Sequence, residues 1–313
     1  MKTVAIVNPI AGYRRAPRVW PRLLASLGET GAKVATWWSE WPGHAETLAA
    51  RARREGFDRV VAGGGDGTLL EVVNGLWWEP RGPQPSVGVV PFGTGCDYVR
   101  SFSLGQTLRD KVMSAMGEAT LRVSVGLARL QGFDGQPRQR VFVNVLGLGL
   151  DAQVIAGFRQ QRLGLPGKTL YFLSGLKELG RLKHHRITAE LDGRPLKTEA
   201  MVVVLGLGRY FGGGMMITPG ASPQAEHFQV VLAQKLSRLE LLALLPGIYF
   251  GKHLDHPRVM ADYAGHIKIN ADPPAYVEAE GELEGLTPLK VAIIPRALRI
   301  AAPSLSESAL RRR

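Results

Sequence analysis

The run Gly63-Gly64-Gly65-Asp66-Gly67-Thr68 constrains this chain more than any other part of its sequence. It follows a short apolar stretch, Arg59–Ala62, and precedes a segment with helical spacing, Leu69–Leu76. Glycines let backbone N–H groups approach a ligand closely and allow left-handed φ values, and a following helix directs its first N–H groups at the same place. The pattern predicts an anion site suited to phosphate, formed where a strand turns into a helix.

An acid inside such an anion-binding loop requires its own explanation. Asp66 is consistent with a Mg²⁺ ion that accompanies bound phosphates, or with a hydroxyl proton that must be accepted. Thr68 can cap the helix or bond a phosphate oxygen. The alternative is a tight strand-to-helix turn with an exposed aspartate, because short motifs also match by chance.

The first part of the chain alternates strands with helices, which favours a parallel sheet covered on both faces. Ligands of such folds bind at the carboxyl ends of the strands. Two further loops with glycines follow strands there, Asn8–Gly12 and Pro91–Asp97, so three loops are expected at one edge of the sheet. The predicted strands are Thr3–Val7, Lys33–Trp37, Arg59–Ala62 and Val87–Val90, and the predicted helices are Arg18–Leu27, His44–Glu55 and Leu69–Leu76.

The pattern changes near Leu121 and becomes rich in strands, which predicts a second, β-rich domain. A chain of 313 residues also exceeds one average domain. Helical segments interrupt the strands mainly at Lys168–Leu182 and Arg238–Phe250. The predicted strands are Leu121–Leu130, Arg140–Leu146, Leu196–Gly206, Phe228–Ala233, His266–Ala271, Tyr276–Glu282 and Leu289–Ile294.

Charge and composition narrow the choice of partners. The formal net charge is +12, which favours polyanions such as nucleic acid, nucleotide phosphates or anionic lipid headgroups without choosing among them. The single cysteine, Cys96, excludes an internal disulfide and fits a reducing compartment. The longest apolar run, Leu239–Phe250, is shorter than a membrane span, so we expect a soluble protein with at most peripheral membrane contact.

Taken together, these motifs resemble the diacylglycerol kinase catalytic domain, the soluble bacterial lipid kinase family that includes sphingosine kinases. The similarity covers nearly the whole chain. It is carried by Asn8-Pro9 with Gly12, Gly64–Thr68, Glu71–Gly75, Pro91–Gly95, Asn144, Gly147–Ala152, Glu280–Glu282, Thr287-Pro288 and Pro295–Leu298.

The resemblance implies an α/β nucleotide-binding domain with a parallel sheet, like those of NAD kinase and phosphofructokinase, and a β-rich, sandwich-like C-terminal domain. Residues 1–121 and 296–313 would form the first, and residues 122–295 would form the second, which takes the lipid. ATP would bind in the cleft between them, with Asp66 near its Mg²⁺. The residues placed at ATP by the resemblance are Asn8, Pro9, Gly12, Arg14, Ser39, Gly63, Gly64, Gly65, Asp66, Gly67, Thr68, Gly93, Thr94, Gly95 and Glu282.

The catalytic acid comes from the second domain by the same resemblance. Glu278, Glu280, Glu282 and Glu284 alternate, so a single strand would place them all on one face. The family has Asp-Gly-Glu at Glu280–Glu282, and its aspartate is taken as the general base that removes the proton from the lipid hydroxyl. Glu280 therefore stands as the expected base, with Asp66 as the alternative.

Other positions also depart from the family pattern. Ser39 stands where a threonine is usual, and Cys96 stands where an asparagine is usual, which puts one nucleotide contact in doubt. The segment Ser222–Phe228 replaces an aspartate-rich turn that holds a structural Mg²⁺ in some members, so we predict no such site.

The predicted function is an ATP-dependent lipid kinase that converts diacylglycerol to phosphatidic acid. A sphingoid base or another long-chain alcohol is the alternative substrate. NAD kinase, a phosphofructokinase-like sugar kinase and a catalytically altered nucleotide- or lipid-binding relative remain as alternative functions. We expect a cytoplasmic, peripherally membrane-associated protein with no nucleic-acid partner, which could form a homodimer. Lys168–Arg186 has leucines at helical spacing and basic residues, so it could lie on an anionic membrane, although packing on its own domain is the favoured interpretation.

Overall fold

The computed structural model describes residues 1–28, 33–93, 95–150, 152–155 and 184–306. The chain forms two compact units. The first is Met1–Val123 together with the segment that begins at Arg296, and the second is Ser124–Pro295. The first unit is therefore discontinuous in sequence, because the chain returns to it after completing the second.

The first unit contains a sheet with helices packed against it. Its elements are β1 (Thr3–Val7), the left-handed turn α1 (Ala11–Arg14), α2 (Ala16–Gly28), β2 (Val34–Trp38), α3 (His44–Arg54), β3 (Arg59–Gly64), α4 (Asp66–Trp78), β4 (Ser86–Pro91) and α5 (Leu108–Met116). The strand order is β2-β1-β3-β4, and every neighbouring pair is parallel. The returning chain adds the end of the last strand beside β4, where Ile300 pairs with Val87 in parallel.

The core of the first unit lies where α2 and α5 cover the sheet. Strand residues such as Ala5, Val61 and Val90 are fully buried and pack with Trp20 of α2. Trp20 also contacts the ring of Phe92 edge-on at 6.2 Å, just after β4. The apolar runs that predicted these strands are thus buried on the sheet, as expected for strands covered by helices.

The second unit is built from antiparallel strands. Its elements are β5 (Thr120–Gln131, which begins in the first unit), β6 (Pro137–Phe142), β7 (Val145–Gly149), β8 (His185–Leu191), β9 (Arg194–Gly206), β10 (Phe228–Gln234), α6 (Arg238–Ile248), β11 (Val259–Ala264), β12 (His266–Asp272), β13 (Tyr276–Ala279) and β14 (Glu282–Ala301).

Two long strands join the layers of this unit. The early residues of β9 pair with β8, whereas its later residues pair with β7 and β10. Likewise β14 pairs first with β13 and then with β12, which in turn pairs with β8. The pairings close a circuit from β9 through β7, β13, β14, β12 and β8, as in two sheets that share strands at their corners.

Two predicted strands need correction here. The predicted strand Arg140–Leu146 spans the end of β6 and the start of β7, because the chain leaves the sheet at Val143 and Asn144. The predicted strand Tyr276–Glu282 is two strands, because Glu280 and Gly281 have left-handed φ values of 52° and 88° and form a tight hairpin turn.

The segment Lys168–Arg186, which we expect to pack on its own domain rather than lie on a membrane, falls almost wholly outside the described residues, and Arg186 lies in β8. Among the described residues, no helix is long and apolar enough to span a bilayer.

We predict that Gly75→Ala destabilises the fold although alanine is the better helix former. A Cβ at Gly75, inside α4, would lie 2.0 Å from the backbone oxygen of Glu46 in α3, so the two helices would have to separate. We expect a loss of about 1–3 kcal/mol in the free energy of unfolding, measured by urea denaturation.

Gly247→Ala in α6 is the matched control, because its Cβ would meet the side chain of Lys252 at an ordinary 3.5 Å. We expect it to be neutral or to stabilise by about 0.5–1 kcal/mol. Equal stabilities of the two variants would refute the argument.

Candidate functional site

The ends of β1, β2, β3 and β4 bring the predicted loops together. Val7 pairs with both Trp38 and Gly63, and Gly64 pairs with Pro91, so the four strands end at one edge of the sheet. The residues that follow directly are Asn8, Ser39, Gly65 and Phe92. Backbone bonds continue beyond the strands, from Asn8 N–H to the Gly63 oxygen and from Ser39 N–H to the Val7 oxygen.

The glycine turn differs in detail from the prediction. The helix α4 begins at Asp66, three residues earlier than expected, so Asp66, Gly67 and Thr68 form its first turn. None of the glycines from Gly63 to Gly67 has a left-handed φ, so their conformational freedom does not explain them. The N-cap residue Gly65 has no side chain with which to cap the helix, and a helix start of this kind leaves backbone N–H groups for an anion.

Close packing explains the glycines instead. A Cβ at Gly64 would lie 2.2 Å from Thr68 Oγ1, and a Cβ at Gly93 would lie 2.7 Å from the Cα of Gly65. A Cβ at Gly12, whose φ is 60°, would lie 2.1 Å from the Phe92 oxygen. The loop after β4 therefore touches both the loop after β1 and the glycine turn through backbone atoms, and a side chain at Gly12 or Gly93 would separate them. A side chain at Gly64 would instead displace Thr68.

Asn8 and Thr68 are linked by their side chains. Asn8 Nδ2 donates to Thr68 Oγ1 at 3.3 Å, while Asn8 Oδ1 accepts the Ile10 N–H at 3.0 Å. Thr68 is buried within the first turn of α4. Its hydroxyl therefore joins the loop after β1 to the glycine turn rather than capping the helix.

Asp66 holds the glycine turn to the loop after β4. Its Oδ2 accepts the N–H of Asp97 at 2.9 Å, and its Oδ1 accepts the N–H of Tyr98 at 3.1 Å. Burial raises the pKa of Asp66, and the backbone N–H donors oppose that rise. The alternative of an exposed aspartate at a simple turn is therefore wrong.

The remaining predicted residues of this unit fall into distinct environments. Ser39 is buried at the end of β2, and Pro9 is half-buried beside Asn8. A Cβ at Gly95 would lie 3.4 Å from Asp66 Oδ2, so Gly95 adjoins the carboxylate. Arg14 is exposed and follows Gly12 and Tyr13 in a run of left-handed φ values, while Thr94 lies outside the described residues.

Cys96 has a packing role within the same loop. Its thiol is buried and lies 3.3 Å from the oxygen of Gly93 and 3.6 Å from that of Gly64. Burial, with the nearby carboxylates of Asp66 and Asp97, raises the pKa of the Cys96 thiol to about 12. A neutral thiol in this position connects the two glycine loops.

Asp97 was missed at the sequence level although it lies in the third loop. Its side chain is buried, and its Oδ1 lies 3.2 Å from Nε of Arg100, three residues on. Its backbone N–H is one of the two that hold Asp66. The Asp-x-x-Arg spacing was the available signal, but only the fold shows that its backbone reaches Asp66.

In the second unit, Glu280 is anchored to the backbone. It occupies the hairpin turn between β13 and β14 and is buried. Its Oε1 accepts the N–H groups of Val143 and Asn144 at 2.6 and 2.9 Å, and its own N–H donates to the Val145 oxygen. The carboxylate is therefore fixed in orientation by the chain just before β7.

The four alternating glutamates do not share a face, because the turn at Glu280 interrupts their strand. Glu278 is fully buried, and its Oε2 accepts the Gly281 N–H at 2.7 Å within the hairpin. Glu284 is buried between Arg138 and Arg140, at 2.7 and 3.0 Å. Glu282, the predicted nucleotide contact, is exposed at the start of β14.

Within the described ranges, no three His, Cys, Asp or Glu side chains gather closely enough to hold a metal ion on their own. Any divalent cation at the glycine turn would thus have to bring further ligands with it. A nucleotide's phosphate oxygens and water are the ligands that Mg²⁺ ordinarily brings.

A glycine turn that follows a parallel strand and opens a helix is typical of sites that bind phosphate groups. Residues 2–128 match the diacylglycerol kinase catalytic domain, and residues 144–302 match the YegS C-terminal NAD kinase beta sandwich-like domain. The chain belongs to the diacylglycerol kinase family of lipid kinases.

Individual relatives agree with this assignment. A diacylglycerol kinase of Staphylococcus haemolyticus is 27% identical over 298 residues, which is 95% of this chain and 87% of that protein. A putative diacylglycerol kinase from Bacillus anthracis has the same fold, with a TM-score of 0.76 at 22% identity, over 96% of this chain and 97% of that chain. Yeast NADH kinase is a more distant structural relative, with a TM-score of 0.51 at 15% identity, over 96% and 82%.

We predict that Asp66→Asn loosens the loop after β4. An asparagine offers one acceptor oxygen, so one of the two N–H bonds from Asp97 and Tyr98 is lost and an NH₂ group faces a backbone donor. We expect faster amide hydrogen exchange at Asp97 and Tyr98, and a loss of about 1–3 kcal/mol in stability.

Asp110→Asn is the control, since Asp110 accepts the Thr107 N–H in an exposed capping box at the start of α5. It should speed exchange only near Thr107. Unchanged exchange at Asp97 and Tyr98 in Asp66→Asn would show that the carboxylate does not hold that loop.

Proposed function

We propose that this protein transfers the γ-phosphoryl group of ATP to the hydroxyl of a membrane lipid, with diacylglycerol as the substrate and phosphatidic acid as the product. The observation that carries the proposal is the uncapped first turn of α4, packed against the loops after β1 and β4. Family membership supports the lipid as the acceptor.

The first unit supplies the phosphate site in this proposal. N–H groups at the start of α4 donate to phosphate oxygens, and the dipole of the helix favours negative charge there. Asn8, Thr68 and Ser39 contribute polar groups at the same strand ends. Arg14 is exposed on the turn that follows Gly12, and its guanidinium is proposed as a further phosphate contact.

Magnesium would arrive bound to ATP and would neutralise charge on the transferring phosphoryl group. The residues present fit this role. The Asp66 carboxylate accepts the N–H groups of Asp97 and Tyr98 and its own backbone N–H, and its two oxygens together offer about four lone-pair sites, so one site remains for a metal. Asp66 is accordingly proposed as one ligand of a metal whose other ligands are phosphate oxygens and water, since the described residues supply no complete set.

Glu280 is the proposed general base. Its carboxylate takes the proton from the lipid hydroxyl, the hydroxyl oxygen bonds to the γ-phosphorus, and the bond from that phosphorus to the oxygen of ADP breaks. Val143 and Asn144 hold one carboxylate oxygen, which fixes the direction of the other. The glutamate in place of the family's aspartate is longer by one methylene, so this backbone anchor is what sets its reach.

We predict that Glu280→Gln lowers kcat by about 10²–10⁴-fold while ATP affinity stays within about twofold. The glutamine oxygen can still accept the N–H groups of Val143 and Asn144, so the turn is kept and only the proton acceptor is lost. Steady-state kinetics with diacylglycerol in mixed micelles, together with ATP titration calorimetry, measure both quantities.

Glu190→Gln is the matched control, because Glu190 lies in β8 of the same unit and its carboxylate contacts the surface residue Lys268. Its kcat should remain within about threefold of the wild type, because a surface ion pair contributes little. If Glu280→Gln retains full kcat, Glu280 is not the base, and Asp66→Asn becomes the next variant to compare.

The acceptor is tested by phosphate transfer from labelled ATP to a panel of diacylglycerol, monoacylglycerol, a sphingoid base, a polyprenol, NAD and a sugar phosphate. The proposal expects transfer to diacylglycerol with the highest kcat/KM. Transfer to a sphingoid base alone would support the assignment as a lipid kinase but would replace diacylglycerol as the proposed substrate. Transfer only to NAD or sugar, or ATP binding without any transfer, would overturn the proposed function.

A further inference from the structure

The helix α6 presents an apolar face to solvent. Leu239 and Phe250 are 79% and 64% exposed, and Leu242 and Tyr249 are also exposed. At 100° per residue, these positions and the exposed Pro246 lie on one side of the helix and its extension. We call this surface, formed by Leu239, Leu242, Pro246, Tyr249 and Phe250, the α6 apolar face.

The opposite side of α6 is already packed. Leu241 and Leu244 contact the cluster of Met201, Ala233 and Leu236, and Ile248 is buried. The inner side of α6 therefore already packs on the core of its own unit, and the apolar residues of its outer side do not contribute to that core. A surface helix in a water-soluble unit ordinarily turns charged residues outward, so an apolar outer face indicates contact with another apolar phase.

The helix is also well formed, as a docking element must be. Ser237 and Glu240 make a reciprocal capping box at its start: Glu240 N–H donates to Ser237 Oγ, and Ser237 N–H donates to Glu240 Oε2. Glu240 is the acid within α6, and its carboxylate is directed back to the cap and toward Arg258 at 3.4 Å. It therefore does not interrupt the apolar face.

Basic residues flank the apolar face at both ends. Lys235 and Arg238 are exposed at the N-terminal end, and Lys252 is exposed just after Phe250. Lys235 and Arg258 also line a crevice of about 570 Å³ beside the start of the helix, which Glu199 shares. Asp255 is a further exposed acid nearby, so the flanks are mixed but carry more positive than negative charge, in a chain of net charge +12.

We propose that the α6 apolar face inserts into the interfacial region of an anionic phospholipid bilayer and so brings the enzyme to its lipid substrate. An apolar stripe with an aromatic pair at one end and lysines or arginines at both ends is the pattern of helices that lie in the plane of a membrane surface. The basic flanks favour anionic headgroups, whereas a second copy of this chain would present the same positive charges to them. The purpose of membrane binding in this inference, access to a lipid substrate, rests on the proposed lipid kinase function. The vesicle-binding test does not depend on that function.

The test uses the full chain and vesicles of phosphatidylcholine alone or with phosphatidylglycerol. Leu239→Glu combined with Phe250→Glu places two charges on the apolar face. We expect vesicle binding in a flotation assay to fall by about tenfold or more, because two apolar side chains are no longer transferred from water into the bilayer. With diacylglycerol embedded in vesicles, kcat/KM should fall in parallel, while kcat with a dispersed short-chain diacylglycerol should stay unchanged.

The matched control is Met113→Glu combined with Phe133→Glu, two exposed apolar residues on α5 and on the turn after β5. It adds the same charge and should leave vesicle binding unchanged. Lys235→Gln combined with Lys252→Gln should reduce the preference for vesicles that contain phosphatidylglycerol and leave binding to phosphatidylcholine alone unchanged.

Undiminished vesicle binding by the Leu239→Glu, Phe250→Glu variant would overturn the proposal. So would a wild-type dimer that this variant converts to monomer in sedimentation experiments, because a second copy would then cover the face. A wild-type protein that binds vesicles through α6 but phosphorylates no lipid would overturn the proposed function and leave this inference standing.

Discussion

The carboxylate of Asp66 is the contact on which the rest of the proposed phosphate site depends. It lies in the first turn of α4 and accepts the N–H groups of Asp97 and Tyr98 from the loop after the next strand. Through it, two loops that each follow a parallel strand become one surface. The carboxylate is partly removed from water, which raises the pKa of Asp66, and the backbone N–H donors oppose that rise.

The glycines of the site serve this same assembly. Gly12, Gly64 and Gly93 each lie where a Cβ would collide with the neighbouring loop or with Thr68. These contacts bring the loops after β1 and β4 against each other and against the first turn of α4, whose N–H groups are the proposed phosphate donors. The proposed phosphate site therefore depends on close packing, and one acid and a few side-chain hydrogen bonds hold its loops together.

In the second unit a carboxylate also accepts backbone N–H groups from a distant segment, and here it fixes the proposed general base. Glu280 holds a tight hairpin to the chain before β7 through the N–H groups of Val143 and Asn144, and Glu278 closes the hairpin through Gly281. A buried acid fixed by backbone donors keeps a defined direction, which a proton acceptor needs. The α6 apolar face lies on this unit as well, so one β-rich body carries both the proposed base and the proposed membrane contact.

The sequence by itself determined the class of fold and the positions of the loops, because alternating apolar strands and helices place glycine turns at one sheet edge. It could not show that α4 begins at Asp66, that Glu280 sits in a turn, or that α6 leaves its outer face uncovered. These depend on which backbone groups meet across distant segments, such as Asp66 with Asp97 and Glu280 with Val143. Local periodicity records which residues prefer burial, whereas only the tertiary structure decides what each buried polar group bonds and which apolar face remains exposed.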